Sequence, residues 1–211
     1  MPPTDIRRFR RLEGELRRQF EDIYYDSFPP EEREDPDDLA RKIAQGEAIL
    51  YLVREDSALV GFAYVLPLTV AGVYLIDYLA VARARRNRGI GQQLLERLRR
   101  TFGRCPRASG IMLEVESDDW GTDEERELRS RRIGFYRRNG AVLLPLPSHL
   151  RVPGTSRTED LYSKLMWLPL GDPPPSGEKL GQCIRAFFAA AYGMPADDPY
   201  VVAALAVAQR Q

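Results

Sequence analysis

Residues 73–98 read VYLIDYLAVARARRNRGIGQQLLERL, and three patterns follow one another along this stretch. Residues 73–81 are almost wholly apolar except for Asp77, which is typical of a strand that is buried on both faces. An arginine-rich loop follows at 83–88, and a Gly-Ile-Gly sequence at 89–91 then opens a segment whose apolar residues recur at helical spacing. The stretch therefore predicts a buried strand, a basic turn and an amphipathic helix in direct succession.

The glycine turn between this strand and this helix has the features of a phosphate-binding site. Backbone N–H groups at a helix N-terminus lack helical partners and carry the positive end of the helix dipole. Glycine lets the backbone approach an anion closely, and Arg86 and Arg88 can pair with phosphate oxygens. The turn is not a P-loop, because no Gly-Lys-Ser/Thr follows, and it lacks the third glycine of the dinucleotide fingerprint. By itself the pattern is equally compatible with a purely structural turn.

The segments on either side predict further strands and helices. Residues 48–54 and 59–67 are two β-rich runs separated by a short polar connection, which indicates an antiparallel hairpin. The run at 111–116 (IMLEVE) follows the predicted helix, so that strand, helix and next strand form a right-handed βαβ crossover. Two last strands are predicted at 141–146 and 162–168. Other helices are predicted from Leu12 to the stop at Phe28-Pro29, after a cap at Asp37 or Asp38, and at 129–138, 180–192 and 200–207.

The composition argues against several classes of protein. The 31 Lys plus Arg residues balance 31 Asp plus Glu residues, whereas nucleic-acid-binding proteins usually carry a basic excess. Hydrophobic residues make up 44% of the chain, which is typical of a globular protein and not of a disordered one. Cys105 and Cys183 have no zinc-binding spacing, so we expect reduced thiols and no metal. The charged N-terminal segment and the lack of a long apolar run predict a soluble, cytoplasmic protein without membrane contact.

Two motifs in this sequence resemble those of the GNAT N-acetyltransferase superfamily. Residues 74–98 resemble its acetyl-CoA motif, which runs through a strand, a pyrophosphate-binding turn and a helix. RRIGFYRRNGAV, at 131–142, resembles its second motif, in which an aromatic pair on a helix precedes a glycine and a strand. IYYDSFPPEERE, at 23–34, is similar to a stretch in the substrate-side helices of a bacterial subgroup. The resemblance covers residues 16–168, with the two main motifs in the family's order.

The resemblance implies an α/β fold with a central mixed sheet of six to seven strands, splayed between its fourth and fifth strands and flanked by helices on both faces. It implies an acetyltransferase domain over 1–170, followed by a Pro-rich joint and a C-terminal helical appendage over 171–211. Acetyl-CoA would be the cosubstrate, with pantetheine in the split of the sheet and the pyrophosphate on the glycine turn. The residues expected to bind it are Leu79, Ala80, Val81, Arg86, Arg88, Gly89, Ile90, Gly91 and Gln92.

Acetyl transfer to an amine requires a neutral amine and a proton donor for the departing thiolate. An alkyl amine has a pKa of about 10.4, so a base or a chain of water molecules must help to deprotonate it. The resemblance implies that Tyr136 is the donor, although adjacent aromatic residues on a helix are also common in a core. For the base, three candidates stay open, in the order Asp77, Glu114 and Glu116. Asp77 comes first because it is the single charge within a buried strand.

The resulting hypothesis is an acetyl-CoA-dependent N-acetyltransferase that moves an acetyl group directly to a primary amine of a small molecule. The alternatives are a protein or peptide N-acetyltransferase and a non-catalytic acyl-CoA-binding module. Acidic blocks lie at 31–38 and 114–127, and the first, on the acceptor side of the implied fold, would attract a cationic amine, unless the blocks are solvated loops. The three arginines between 129 and 132 could meet the cofactor phosphates or pair with the acidic loop. The segment at 183–192 could pack on the domain or form a homodimer, and His149 is a further candidate for the site.

Overall fold

The computed structural model of this protein describes residues 4–146, 150–153 and 160–208. Helices and strands are interspersed along the chain, as in a mixed α/β fold. The strands are β1 Thr4–Phe9, β2 Ile49–Glu55, β3 Ala58–Pro67, β4 Val73–Val81, β5 Gly110–Glu116, β6 Val142–Leu143, β7 Leu150–Pro153 and β8 Asp160–Pro169. The α-helices are α1 Gly14–Ser27, α2 Pro36–Gln45, α3 Ile90–Phe102, α4 Asp123–Arg138, α5 Gly177–Tyr192 and α6 Pro199–Ala208.

The chain divides into two compact units, of which the first comprises Met1–Pro67 and Ile76–Phe102. In this unit β1, β2, β3 and β4 are neighbours in that order, and the pairs β1–β2 and β2–β3 are antiparallel. The predicted hairpin is thus confirmed, with Ile49 opposite Val65. β1 was not predicted, because its residues are mostly charged and polar and give no strand pattern. Such residues suit a strand at the edge of a sheet.

Local signals determine where α1 and α2 begin and end. α1 ends at Ser27, two residues before a proline, as predicted. α2 begins at Pro36, and the carboxylate of Asp35 accepts a hydrogen bond from the Asp37 N–H at 2.8 Å. The prediction that Asp37 or Asp38 caps this helix was therefore wrong. Asp35 is the cap because a proline is favoured at the first helical position, directly after the cap.

The second unit comprises Leu68–Leu75 and Gly103–Gln211, and β8 is its central strand. β8 pairs antiparallel with β5 and also with β6 and β7. α4 begins well before the predicted start at residue 129, because Thr122 and Glu125 form a capping box. Since β1 and β7 add to the predicted strands, the described residues contain eight strands instead of six to seven.

β4 is the strand at which the two units divide, since residues 73–75 belong to the second unit and residues 76–81 to the first. Its bounds are those predicted from the sequence. β4 precedes β5 in the strand order. The predicted mixed α/β class is confirmed.

Each unit has its own apolar core. In the first unit Phe20 and Phe62 are fully buried, with 4.4 Å between their ring centroids. In the second unit Trp167 lies directly over Gly110, where an added Cβ would come within 2.0 Å of the ring, so this position of β5 requires glycine. No helix in the described ranges is long and apolar enough to cross a membrane.

Candidate functional site

The turn between β4 and α3 leaves backbone N–H groups without helical partners. Two of its residues have left-handed backbone conformations, Asn87 with φ of 62° and Gly89 with φ of 78°. The Gln93 N–H donates to the Gly89 carbonyl at 3.0 Å, which begins the helical hydrogen-bond pattern. The N–H groups of residues 90–92 therefore point out of the helix end, where the positive end of the dipole lies.

The start of α3 offers an anion an open site. Gly89 has no side chain that could cap the helix, and the first turn of α3 contains no acidic residue. A Cβ built on Gly89 would meet no heavy atom within 4 Å, so there is space in front of the turn. Open N–H donors, no local carboxylate and free space are what a phosphate group requires at a helix N-terminus.

The arginines of this turn have different partners. The Arg85 Nε lies 2.9 Å from the buried carboxylate of Glu55. Arg86 donates from Nε to the Val81 carbonyl at 3.0 Å and lies 3.6 Å from a carboxylate at the end of α1. Arg88 is exposed, and no carboxylate among the described residues lies within ion-pair distance of it. Arg88 is therefore better placed than Arg86 to pair with an external anion.

The backbone groups of β4 alternate between its two edges. The Ala82 N–H donates to a carbonyl of β3 at 2.9 Å, so the even-numbered residues at this end face β3. The Ala80 carbonyl also faces β3, since it lies 2.8 Å from the position of a Cβ on Gly61. Leu79 and Val81 present their N–H and C=O groups to the opposite edge. Of the three residues predicted to bind pantetheine, these two have the orientation that such pairing requires.

Asp77, the first candidate base, is half-buried on β4 beside a group of tyrosines. Burial, and to a lesser degree the charge of Asp77, raises the pKa of Tyr78 above its usual value. The Tyr78 hydroxyl donates to the Glu32 carbonyl at 2.9 Å, and the Glu34 N–H donates to the Tyr24 hydroxyl at 2.9 Å. These tyrosines therefore hold the segment that follows α1.

Basic side chains of the first unit neutralise much of the negative charge of the acidic block at 31–38. Asp35 is used as the cap of α2, and three further carboxylates of the block form ion pairs. The block therefore presents much less negative charge than its sequence indicates. The pairs are Glu34 with Lys42 at 2.6 Å, Asp37 with Arg17 at 2.6 Å and Asp38 with Arg41 at 3.2 Å.

Tyr136 lies on α4, in the second unit, and is 8% exposed. Burial raises the pKa of its hydroxyl, so the residue is protonated at neutral pH. Its ring packs edge-to-face on that of Phe135, with 5.2 Å between the centroids. Tyr136 is thus part of the core of its unit and also carries a proton that it could donate.

Glu114 is half-buried on β5, in the same unit. Tyr192, the last residue of α5, donates from its hydroxyl to both carboxylate oxygens of Glu114, at 2.9 and 2.8 Å. Burial raises the pKa of Glu114 above its ordinary value, and hydrogen bonds from Ser163 and Tyr192 oppose this effect only in part. A carboxylate with a raised pKa is better suited to accept a proton near neutral pH.

Glu116, the third candidate base, takes part in two ion pairs. Its Oε1 lies 2.8 Å from Arg129 and its Oε2 lies 3.0 Å from Arg132, both on α4. Arg131 pairs instead with Glu127 on the same helix. Both carboxylate oxygens of Glu116 are therefore already paired with guanidinium groups.

Tyr192 contacts a candidate site residue, and sequence patterns do not reveal this contact. It lies 78 residues from Glu114 along the chain, in an apolar segment that predicts only packing or dimerisation. His149 lies outside the described residues. The described part of the chain contains no group of three or more His, Cys, Asp or Glu side chains that could hold a metal ion.

A family model, that of the acetyltransferase (GNAT) family, matches residues 15–140, which is more than half of the chain. The chain belongs to the GNAT acetyltransferase family. It is therefore an acetyl-CoA-dependent acetyltransferase, and the matched region contains the β4–α3 turn and the candidates Asp77, Glu114 and Tyr136. α5 and α6 lie beyond the matched residues.

Solved structures of GNAT proteins share this fold. A Bacteroides thetaiotaomicron protein assigned to the GNAT acetyltransferases is 26% identical, with a TM-score of 0.64 over 85% of this chain and 93% of its own. An aminoglycoside 6'-N-acetyltransferase complexed with coenzyme A is 20% identical, with a TM-score of 0.61 over 81% and 99%. The ribosomal-protein-S18-alanine N-acetyltransferase from Escherichia coli is 17% identical, with a TM-score of 0.59 over 83% and 97%. No curated protein matches the chain at a significant level.

Proposed function

We propose that this GNAT enzyme transfers an acetyl group from acetyl-CoA directly to the primary amine of a small molecule. The observation that carries the proposal is the open N-terminus of α3, where the N–H groups of residues 90–92 lie beside the exposed Arg88. A pyrophosphate is the kind of anion that such a helix end binds well. Acetyl-CoA carries a pyrophosphate between its nucleotide and its pantetheine arm.

The residues of the turn and of β4 fit this ligand. The N–H groups of residues 90–92 and the guanidinium of Arg88 would bind the pyrophosphate. Leu79 and Val81 would pair with the amide groups of pantetheine through the backbone edge that faces away from β3. Arg86 would remain on the Val81 carbonyl, whose second lone pair can still accept a hydrogen bond.

We assign the role of base to Glu114 ahead of Asp77. A general base is most effective when its pKa lies near the working pH, and burial raises the pKa of Glu114 in that direction. Glu116 is less suitable because both of its carboxylate oxygens are already paired with arginines. Tyr136 would be the proton donor, since burial keeps its hydroxyl protonated.

The proposed transfer forms one bond and breaks another. The amine nitrogen bonds to the acetyl carbonyl carbon, and the carbon–sulfur bond of the thioester breaks. Glu114 accepts the proton that leaves the amine, Tyr136 gives a proton to the sulfur, and solvent returns the proton from Glu114 to Tyr136. Direct transfer needs no protein nucleophile, and burial raises the pKa of the Cys183 thiol to about 11, as in an unreactive core cysteine.

The charges of the chain support an acceptor with few positive charges. Most carboxylates in the acidic block at 31–38 have a base or a helix end as partner, so a polyamine would find little free negative charge there. A peptide amine is the second candidate, because the structural neighbours include both an aminoglycoside and a ribosomal-protein acetyltransferase.

Release of the CoA thiol by the purified chain tests this proposal. Acetyl-CoA is supplied with small primary monoamines, aminoglycosides, polyamines or short peptides, and calorimetry measures acetyl-CoA binding in parallel. We expect saturable release with a small monoamine and a lower kcat/KM with polyamines and peptides. A preference for peptides would support the second candidate. Acetyl-CoA binding without thiol release above the hydrolysis background would instead indicate a non-catalytic acyl-CoA-binding module.

A further inference from the structure

α5 lies beyond residues 15–140, which match the family model, yet both of its ends are tied to β5 or its flank. At its start the Lys179 Nζ donates to the Ser109 Oγ, directly before β5, at 2.9 Å. At its end the Tyr192 hydroxyl donates to the carboxylate of Glu114. The helix is therefore fixed along β5 by polar contacts at both ends.

Packing determines the orientation of the Tyr192 ring. Phe187 and Phe188 are fully buried, and their ring centroids lie 5.7 and 5.9 Å from that of Tyr192. Gly193 follows in a left-handed conformation, with φ of 63°, and its N–H donates to the Ala189 carbonyl at 3.2 Å. This glycine ends α5 directly after Tyr192, so the tyrosine has contacts on its ring and a fixed backbone.

The direct partners of Glu114 are hydroxyl groups. Among the described residues, no cation forms an ion pair with it. Ser163 on β8 and Tyr192 on α5 donate hydrogen bonds to it. Lys164, the neighbour of Ser163, extends from the opposite face of β8 and pairs with Asp118. The charged and titratable groups nearby are Glu116 on β5, Arg129 and Arg132 on α4, which pair with Glu116, and Tyr192 on α5.

We infer that Tyr192 is a positioning residue for the base of this enzyme, because its hydroxyl holds both oxygens of Glu114 and favours the ionised form that accepts the amine proton. The inference rests on the proposed role of Glu114. A phenol donates a stronger hydrogen bond to a carboxylate than to a carboxylic acid, so Tyr192 counteracts the effect of burial. α5 is then part of the catalytic apparatus and not only an appended helix.

Tyr192→Phe in the full chain tests this inference through the pH dependence of kcat/KM. Phenylalanine keeps the ring contacts with Phe187 and Phe188 and removes only the hydroxyl. Glu114 then takes up its proton at higher pH, so the acid limb of the profile moves to higher pH. We expect kcat/KM on that limb to fall about tenfold or more, because a hydrogen bond to a charged group is lost, while the KM for acetyl-CoA is unchanged.

A matched control and a second substitution accompany this variant. Tyr200→Phe on α6 removes a hydroxyl from a ring that lies 5.8 Å from the guanidinium of Arg151, and it should leave the profile in place. Fluorotyrosine in place of Tyr192 keeps the packing but makes the hydroxyl a stronger donor. The acid limb should then move to lower pH, and this test holds even where Tyr192→Phe lowers the thermal stability.

Two outcomes would overturn the inference, and each can be told apart from a failure of the proposed function. If both Tyr192 substitutions give profiles that superimpose on the parent profile after scaling, Tyr192 has a structural role alone. The Glu114→Gln variant distinguishes a failure of the positioning role from a failure of the proposed base. A fully active Glu114→Gln variant would refute the proposed base, and the inference with it. An inactive one, together with unmoved Tyr192 profiles, would refute the positioning role alone.

Discussion

A charged loop precedes α3 and another precedes α4. The charges are paired in one of these loops and in part unpaired in the other. In the loop before α4, Asp118 pairs with Lys164, and Thr122 caps the helix. In the loop before α3, Arg88 has no carboxylate partner among the described residues, and Gly89 has no side chain with which to cap the helix. The charges and the helix end at the loop before α4 are paired with groups of the same unit, whereas the loop before α3 leaves hydrogen-bond donors that a ligand can use.

Charge density in a sequence therefore does not by itself mark a binding site. The segment at 114–127 has eight acids in fourteen residues and that at 31–38 has six in eight, yet ion pairs and helix caps occupy most of them. Every helix N-terminus carries the same partial positive charge. α4 meets that charge with acids in its own first turn, and α3 does not, so the site is identified by what remains unpartnered.

The strongest way to break this contrast is to give α3 an acidic first turn like that of α4. Gly91→Glu places a carboxylate at the open N–H groups and repels an anionic ligand. We expect the affinity for acetyl-CoA, measured by calorimetry, to fall at least about 100-fold. The Tm should stay equal or rise, because glutamate in a first turn favours the helix more than glycine does.

Gln93→Glu is the charge-matched control for that change. It adds the same charge to α3 beyond the open N–H groups, since the Gln93 N–H already donates to Gly89. We expect only a small loss of affinity from it. An unchanged affinity in Gly91→Glu would mean that the start of α3 is not where acetyl-CoA binds.

A second test concerns Glu114, which differs from the paired acids of its block because its partners are hydroxyl groups. We expect Glu114→Gln to lower kcat about 100-fold or more and to change the KM for acetyl-CoA little. Removal of the Glu114 carboxylate should therefore lower the rate of acetyl transfer and leave the binding of acetyl-CoA unchanged. Steady-state kinetics with the preferred amine measure both constants.

The same substitution makes a prediction about stability and pH. Because burial raises the folded-state pKa of Glu114, the parent loses stability as the pH rises from the ordinary glutamate pKa through the raised value. Glutamine has no such proton, so Glu114→Gln should be more stable than the parent above that window and should show no gain below it. Thermal unfolding at a series of pH values checks the sign. A variant that is less stable at high pH would contradict the proposed environment of Glu114.

Elements with strong local signals could be predicted from the sequence. The bounds of β4 follow from its apolar run, and the end of α1 follows from its proline. β1 and β7 could not be predicted, because they are short and are stabilised by pairing with a neighbouring strand. The first turns of α4 are nearly all charged, and their stability comes from the Thr122–Glu125 capping box and from ion pairs with Glu116.

The candidate residues of the two units differ in the same way. The glycine turn could be predicted, because its donors are backbone groups within a few residues of one another. The contact between Glu114 and Tyr192 could not be predicted, because the packing of α5 creates it and no local pattern marks Tyr192 as the partner of Glu114. The neutralisation of the block at 31–38 could not be predicted for a similar reason, since Lys42 and Arg17, which pair with its carboxylates, lie outside the block.

A smaller effect is expected at the exposed side chain of the basic loop. Arg88→Ala removes a guanidinium beside the open N–H groups, which themselves remain in place. We expect the affinity for acetyl-CoA to fall about tenfold, and by less at high salt, because ions screen an exposed charge. Arg99→Ala, in the last turn of α3, removes the same charge from the other end of the helix and is the control. Equal losses in the two variants would assign the effect to overall charge and not to the turn.

The smallest effect is expected at the cap of α4, where the charge is already satisfied. Thr122→Ala should cost about 1 kcal/mol of stability, which for a protein of this size lowers the Tm by about 2–4 °C. The hydrogen bonds with Thr122 hold the pKa of Glu125 below its ordinary value. The contribution of the capping box is therefore present above that ordinary value and is lost as the pH falls through the lowered one, so the difference in Tm should shrink in acid. The affinity for acetyl-CoA should be equal in the parent and in Thr122→Ala, and Thr122→Ser should restore the Tm. A loss of affinity as large as that of Arg88→Ala would show that the two loops do not differ in function.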